Sequence, residues 1–189
     1  MTALRTISKT GAELQDIVQA IDELTGEIYI PASAFQIIDT AALWTAIGSS
    51  AAAGGYAMDA AAAEGVNTSI RLSNDLPMID YTKTVDIYIQ WSAAATSGDV
   101  VWDIDYVVAA LGEDLGAAVT NATVTDTAAG TADYASEAPV ISIAASVLAD
   151  TDVMHFTVRR EGADGSDTMT GDASFNGVRI VYTTNPNIV

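Results

Sequence analysis

The sequence predicts an all-β protein, an antiparallel two-sheet sandwich of jelly-roll type preceded by a short N-terminal helical arm. Three observations lead to this prediction. Apolar and polar side chains alternate over many short segments, turn residues separate these segments at sandwich spacing, and the strand–helix alternation of an α/β fold is missing. With 189 residues, half of them hydrophobic, the chain can build one domain with a full-sized core.

The first 26 residues differ in pattern from the rest and are predicted to form a separate arm, with the sandwich spanning residues 27–189. Residues 10–13 (TGAE) have the form of a capping box, which favours a helix that begins near Gly11. One helical stripe then carries the apolar side chains Leu14, Ile17, Ile21 and Leu24. We expect this stripe to anchor the protein or to mediate oligomerisation; an ordinary helix that packs on its own domain is an equal alternative.

The clearest strand signals lie in residues 84–91 and 100–110, where apolar residues occupy every second position. A small, polar linker separates the two runs, so they either pair with each other or face each other across the core. Both tryptophans of these runs, Trp91 and Trp102, fall on predicted core faces. Further strands are predicted at residues 27–30, 34–38, 55–60, 66–72, 117–125, 140–147, 153–160 and 174–183.

Composition and charge exclude several classes of function. The net charge of −18 makes nucleic acid and anionic membrane surfaces poor partners, because both require basic side chains. The absence of cysteine excludes disulfides, thiol catalysis and cysteine metal sites. No apolar run approaches the roughly 20 residues of a membrane span, and the N-terminus lacks a signal-peptide pattern, so we expect synthesis in a host cytoplasm.

Candidate catalytic and metal residues are few, and none of them forms a recognisable motif. The single histidine, His155, lies in a strand without a nucleophilic serine motif. Asp103 and Asp105 share one face of a strand, where we expect solvation, with nothing that raises either pKa. Three aspartates near a glycine-containing loop form only a weak calcium pattern: Asp164, Asp167 and Asp172. We therefore predict no enzyme, no cofactor, and no catalytic or metal residue.

Aromatic residues outside the predicted core faces are candidates for a sugar-stacking surface. They are Tyr29, Trp44, Tyr56, Tyr88 and Tyr134. An exposed row of such rings suits a glycan, but core filling and subunit contacts suit the same residue types equally well.

Five segments carry a resemblance to a known group of proteins. They are residues 28–35 (IYIPASAF), 84–91 (TVDIYIQW), 99–106 (DVVWDIDY), 155–160 (HFTVRR) and 177–182 (GVRIVY). Their arrangement resembles the jelly-roll proteins of tailed phages that form capsid knobs, head fibres or decoration trimers. The resemblance implies a virion role and a homotrimer, and it transfers no functional residue.

The leading hypothesis is therefore a trimeric capsid decoration or knob protein on the virion exterior. It would attach through its N-terminal region to the major capsid protein or to other virion proteins. The alternative is a lectin-like module of a tail fibre or spike tip that binds a host surface glycan, with exposed aromatic rings or an aspartate-bound calcium at its loop tips. A glycosidase that uses Asp103 and Asp105 is a distant third hypothesis.

Overall fold

The chain folds into two antiparallel β-sheets that pack face to face, which confirms the predicted all-β two-sheet sandwich. The structure is a computed structural model that describes residues 24–38, 42–48, 53–61, 63–76, 78–116, 119–139, 141–144 and 147–185. All strand pairings among these residues are antiparallel. Within them, no helix is long and apolar enough to cross a membrane.

The two sheets contain seven and five strands. The seven-stranded sheet consists of β1 (Thr25–Pro31), β3 (Leu43–Ala46), β4 (Gly54–Met58), β6 (Val85–Ala93), β9 (Ser136–Glu137), β10 (Ile141–Ile143) and β12 (Ala173–Thr183). The five-stranded sheet consists of β2 (Gln36–Ile37), β5 (Ala63–Arg71), β7 (Asp99–Ala109), β8 (Thr120–Thr127) and β11 (Val153–Glu161), in the spatial order β2–β5–β11–β7–β8. The described residues also include a 3-10 turn (Ala32–Ala34) and one turn of helix, α1 (Leu72–Asp75).

The core lies between the sheets and is built from the alternating residues that the sequence indicated. β6 and β7 belong to different sheets, so the two strongest strand segments face each other across the core. Their tryptophans meet there, with the rings of Trp91 and Trp102 6.0 Å apart. The Trp91 indole also donates a hydrogen bond of 2.8 Å to Asp126 of β8 in the opposite sheet. The same side chain therefore contributes both apolar area and a polar link between the layers.

The chain passes from one sheet to the other through residues 32–35, which we name the crossover segment. This segment joins β1 to β2 and contains the 3-10 turn. Phe35 anchors it, because its ring makes edge contacts with Phe175 of the seven-stranded sheet at 4.9 Å and with Phe156 of the five-stranded sheet at 5.7 Å. The backbone of the segment is thereby held against both layers.

A buried guanidinium ties the last long loop to the sandwich. The Arg160 side chain is fully buried and forms a two-point ion pair with Asp167, at 2.9 Å from Nε and 2.8 Å from Nη2. Its remaining N–H groups donate to the carbonyls of Met58, Met169 and Gly171. All five donors of the guanidinium are thus satisfied inside the protein, as burial of such a group requires.

Several sequence-based expectations need correction. The N-terminal helical arm is not supported: Leu24, the one described residue of the predicted stripe, is non-helical, 53 % exposed, and its carbonyl accepts the backbone N–H of Thr184. The remaining stripe residues, Leu14, Ile17 and Ile21, lie outside the described residues, so their anchoring role stays a prediction. β1 begins at Thr25, two residues before the predicted start of the sandwich. The sequence also did not predict β3, β9 or α1.

Candidate functional site

A groove with aromatic side chains lies beside β12, at the point where β1 ends and β4 begins. Both strands pair with the same edge of β12, β4 with residues 173–175 and β1 with residues 177–183. The groove has a volume of about 540 Å³. We name it the aromatic groove and define it by the side chains of Tyr29, Trp44, Gln90, Ser92, Asp133 and Asn176.

Two half-exposed rings give the aromatic groove its apolar surface. Trp44 lies on the short edge strand β3 and remains 52 % exposed, while its ring meets the buried ring of Tyr56 edge to face at 5.2 Å. Tyr29 is 51 % exposed, and its hydroxyl donates a hydrogen bond of 2.8 Å to the carbonyl of Asn176. Partial burial raises the pKa of Tyr29. Both rings are therefore fixed by contacts at one end and available to a ligand on the rest of their surface.

A β-bulge contributes the amide of Asn176 to the wall of the aromatic groove. The pairing of β12 with β6 shifts register between Phe175 and Gly177, so Asn176 has no direct partner across the strand. Its Nδ2 donates to Ser92 Oγ at 3.2 Å, whereas its buried Oδ1 accepts no hydrogen bond from the described residues. Gly177 follows in a positive-φ conformation (φ 149°), and a Cβ there would lie 2.5 Å from the carbonyl oxygen of Ile30. Only glycine fits this bulge without strain.

The remaining described walls of the aromatic groove combine polar with small or apolar side chains and carry no positive charge. Gln90 donates through Nε2 to Glu137 at 3.0 Å, which leaves its carbonyl oxygen without a donor among the described residues. Asp133 holds a positive φ of 62°, and its backbone N–H donates to the carbonyl of Ala93 at 2.7 Å. The described residues that line the groove include no Lys, Arg or His. The groove combines aromatic faces with neutral and acidic hydrogen-bonding groups.

The sequence named five aromatic residues as candidates for a sugar-stacking surface, and the structure brings two of them together. Tyr29 and Trp44 line the aromatic groove. Tyr56 is buried beneath Trp44 and donates its hydroxyl proton to the carbonyl of Phe35. Tyr88 lies under the guanidinium of Arg179 at 4.1 Å, and Tyr134 is 64 % exposed beside the groove without lining it.

His155, Asp103 and Asp105 lie on the outer face of the five-stranded sheet. The expectation of two solvated carboxylates is wrong for Asp103, which is only 4 % exposed and whose pKa is raised by this burial. The Asn121 amide donates to both carboxylates, and Arg159 forms an ion pair with Asp105. Because these groups are occupied with each other, the pair lacks the free acid and free base of a glycosidase.

The three aspartates of the weak calcium pattern do not come together. Asp167 is committed to Arg160, and Asp164 accepts the backbone N–H of Ser166. Among the residues that the structure describes, no group of three His, Cys, Asp or Glu side chains is placed to hold a metal ion. Within this loop, Asp167 therefore has a structural role as the ion-pair partner of Arg160.

Comparison with known proteins gives structural likenesses only. No protein-family model and no curated protein sequence matches the chain. Among solved structures, a family 35 carbohydrate-binding module from Cellvibrio japonicus aligns with a TM-score of 0.47 at 10 % identity, over 85 % of this chain and 99 % of that one. A family 35 module from Clostridium thermocellum gives a TM-score of 0.48 at 7 % identity, over 84 % of this chain and 99 % of that one.

A third likeness is to the first family 36 module of a xylanase from the hindgut metagenome of Trinervitermes trinervoides. It has a TM-score of 0.41 at 12 % identity and covers 82 % of this chain and 96 % of that one. At TM-scores of 0.41 to 0.48, these likenesses assign no ligand and no residue to this chain.

The predicted capsid decoration or knob protein is contradicted by these findings, because the similar structures are carbohydrate-binding modules and not capsid proteins. They lend no support to the predicted homotrimer or to a capsid partner. The resemblance to phage proteins rested on strand pattern, and a strand pattern of this kind is shared by sandwiches with unrelated functions.

Proposed function

We propose that this protein is a non-catalytic glycan-binding module, and that the aromatic groove binds a neutral saccharide. One observation carries the proposal: two half-exposed rings, Tyr29 and Trp44, border a groove whose other walls offer amide, hydroxyl and carboxylate groups. A sugar ring has an apolar face of C–H groups, which packs on an aromatic face, and a rim of hydroxyls, which exchange hydrogen bonds with such polar groups.

The charge of the protein favours a neutral ligand over an acidic one. The net charge is −18, and the described lining of the aromatic groove has no cationic side chain. An anionic polysaccharide would therefore be repelled at long range and would find no cationic partner for its carboxylates in the groove.

The connections between strands also support the finer assignment of the sandwich to the jelly-roll type. The chain passes repeatedly from one sheet to the other, for example from β4 to β5, from β5 to β6 and from β6 to β7.

The groove also has the rigidity that tight binding of a flexible sugar requires. Trp44 is braced by Tyr56, and the Tyr29 hydroxyl is held by the bulge carbonyl of Asn176. Preformed side chains reduce the conformational entropy that is lost on binding. We therefore expect little rearrangement of the protein when a saccharide binds.

The test is a glycan microarray of neutral and acidic polysaccharides, followed by titration calorimetry of the bound members. Trp44→Ala should weaken binding by at least about tenfold, because a tryptophan at the centre of an interface contributes on the order of 2 kcal/mol. Leu43→Ala is the matched control. Leu43 precedes Trp44 on the same edge strand and is 66 % exposed, so its removal should leave affinity within about twofold.

Binding of acidic polysaccharides alone, or equal affinities of wild type and Trp44→Ala for a neutral one, would overturn the proposal. Thermal unfolding of both variants must show that the sandwich is intact, since Trp44 also packs on Tyr56.

A further inference from the structure

A second groove lies on the outer face of the five-stranded sheet, away from the aromatic groove. Strand register aligns five polar side chains from five strands in one row, namely Gln36, Asn67, Thr157, Asp105 and Asn121. The adjacent row places Ser69 next to His155 on the same face. The groove over these rows has a volume of about 430 Å³, and we name it the polar groove.

The two ends of these rows differ in how their polar groups are used. Over β7 and β8, the polar groups bond to one another: Asn121 donates to Asp103 and Asp105, and Arg159 pairs with Asp105. Over β2, β5 and β11, no described residue forms a hydrogen bond with the side chains of Gln36, Asn67, Ser69, His155 and Thr157. Unused donors and acceptors are therefore concentrated at one end of the polar groove.

The unused groups define the ligand that fits them. Two amides, two hydroxyls and an imidazole offer both donors and acceptors at close spacing, since side chains on neighbouring strands stand about 5 Å apart. Among the described lining residues, the strong charges are those of Arg159 and Asp105, and these two side chains form an ion pair with each other. Val107 and Val119 add an apolar patch at the side of His155. This chemistry matches a neutral ligand with many hydroxyl groups and small apolar faces.

We infer that the polar groove is a second saccharide-binding site, independent of the aromatic groove and formed without any exposed aromatic ring. The ligand class rests on the proposed function, whereas the site itself rests on the strand register and on the unused side chains. The two grooves share no described lining residue, and the crossover segment contributes Ala32 and Ser33 to the aromatic groove and Ala34 to the polar groove. One sugar ring therefore cannot fill both.

The chain carries its own reporter for this site, because His155 is its only histidine. The experiment is a titration with cellohexaose, xylohexaose and mannohexaose, followed by NMR of the His155 imidazole and of the tryptophan indoles. We expect the imidazole signals to shift and saturate with at least one hexasaccharide, in wild type and in Trp44→Ala alike. The variant Asn67→Ala/Thr157→Val should weaken this His155 response about tenfold or more, through the loss of two hydrogen-bonding groups.

A control variant on the same face separates loss of ligand contacts from general damage to the sheet. Thr125→Val alters an exposed threonine on β8, outside the polar groove, and should leave the His155 response unchanged. Valine keeps the shape of threonine at both Thr125 and Thr157, so the sheet should tolerate each change.

The outcomes separate this inference from the proposed function. An indole response without any imidazole response would leave the aromatic groove as a binding site and would overturn the second site. Loss of the imidazole response in Trp44→Ala would overturn its independence. If neither reporter responds to any of the three hexasaccharides, both the second site and the proposed function are refuted for these neutral sugars.

Discussion

Removal of the Arg160 guanidinium should destabilise the protein more than removal of any other single positive charge among the described residues. Arg160→Met keeps most of the apolar stem but leaves the Asp167 carboxylate, whose side chain is fully buried, without its countercharge. Three carbonyls also lose their donor, those of Met58, Met169 and Gly171. Loss of one partner from a buried ion pair costs about 3–5 kcal/mol in the free energy of unfolding.

This loss converts into a measurable melting shift. For a domain of this size, 1 kcal/mol corresponds to roughly 2–4 °C, so Arg160→Met should lower Tm by about 6–20 °C. Urea unfolding followed by tryptophan fluorescence gives the free energy, and circular dichroism gives Tm. Arg159→Met is the matched control, because Arg159 directly precedes Arg160 in the same strand. Its side chain is 29 % exposed and forms its ion pair with Asp105 on the outer face of the sheet. An ion pair of this kind contributes less than about 1 kcal/mol to the free energy of unfolding.

A double variant tests the physical reason for the loss. Arg160→Met/Asp167→Leu removes both charges, so no unpaired charge stays buried, and we expect it to be more stable than the Arg160→Met single variant. The reasoning is refuted if Arg160→Met and Arg159→Met lose the same free energy, or if the double variant is less stable than Arg160→Met.

Two further predictions concern the outer face and the bulge. Burial raises the pKa of Asp103, so the folded state holds this proton more tightly than the unfolded chain and gains stability as the pH falls through that pKa. Asp103→Asn should therefore unfold at higher urea than wild type at pH 7, with the gap closing at about pH 3; lower stability at pH 7 would contradict this. Gly177→Ala should lose about 1–3 kcal/mol, because its φ is 149° and its Cβ would lie 2.5 Å from a carbonyl oxygen. Gly165→Ala, where a Cβ meets nothing within 4 Å, should melt like wild type, and equal melting of both glycine variants would refute the bulge argument.

The fold class could be predicted because alternation is a local signal. In β6, β7, β11 and β12, every second side chain is buried between the sheets, and the sequence shows this pattern directly. β3 and β9 were missed, since four and two residues are too few to show a period. The alternation continues through Leu72, but the chain turns into α1 there, where the Asp75 carboxylate accepts the backbone N–H of Arg71.

The candidate sites could be predicted only in part. Tyr29 and Trp44 were candidates from the sequence, but they are 15 residues apart and on separate strands. That both line one groove depends on how β1 and β4 share one edge of β12. The sequence did not indicate a role for Asn176, because its place in the groove depends on a β-bulge. The bulge arises from a register shift between β12 and β6, which the sequence of one strand does not show. The row of the polar groove likewise depends on register across five strands, which a single sequence does not reveal.

The burial of Asp103 shows why a polar strand face was misjudged. Alternation correctly placed Asp103 and Asp105 on the outer face of β7. Whether that face is solvated depends on the side chains of the neighbouring strands, and here Asn121, Thr123 and Arg159 cover Asp103. The direction of a side chain is a property of its strand, whereas its exposure is a property of the sheet.

The crossover segment limits how freely either groove can change. Its residues form part of both walls, and one side chain, Phe35, holds it against both sheets through Phe156 and Phe175. A substitution that shifts this short stretch would reshape two recognition surfaces at the same time. Attempts to engineer specificity should therefore begin on the strands, where Trp44 or Thr157 can be altered alone, and should leave the shared wall intact.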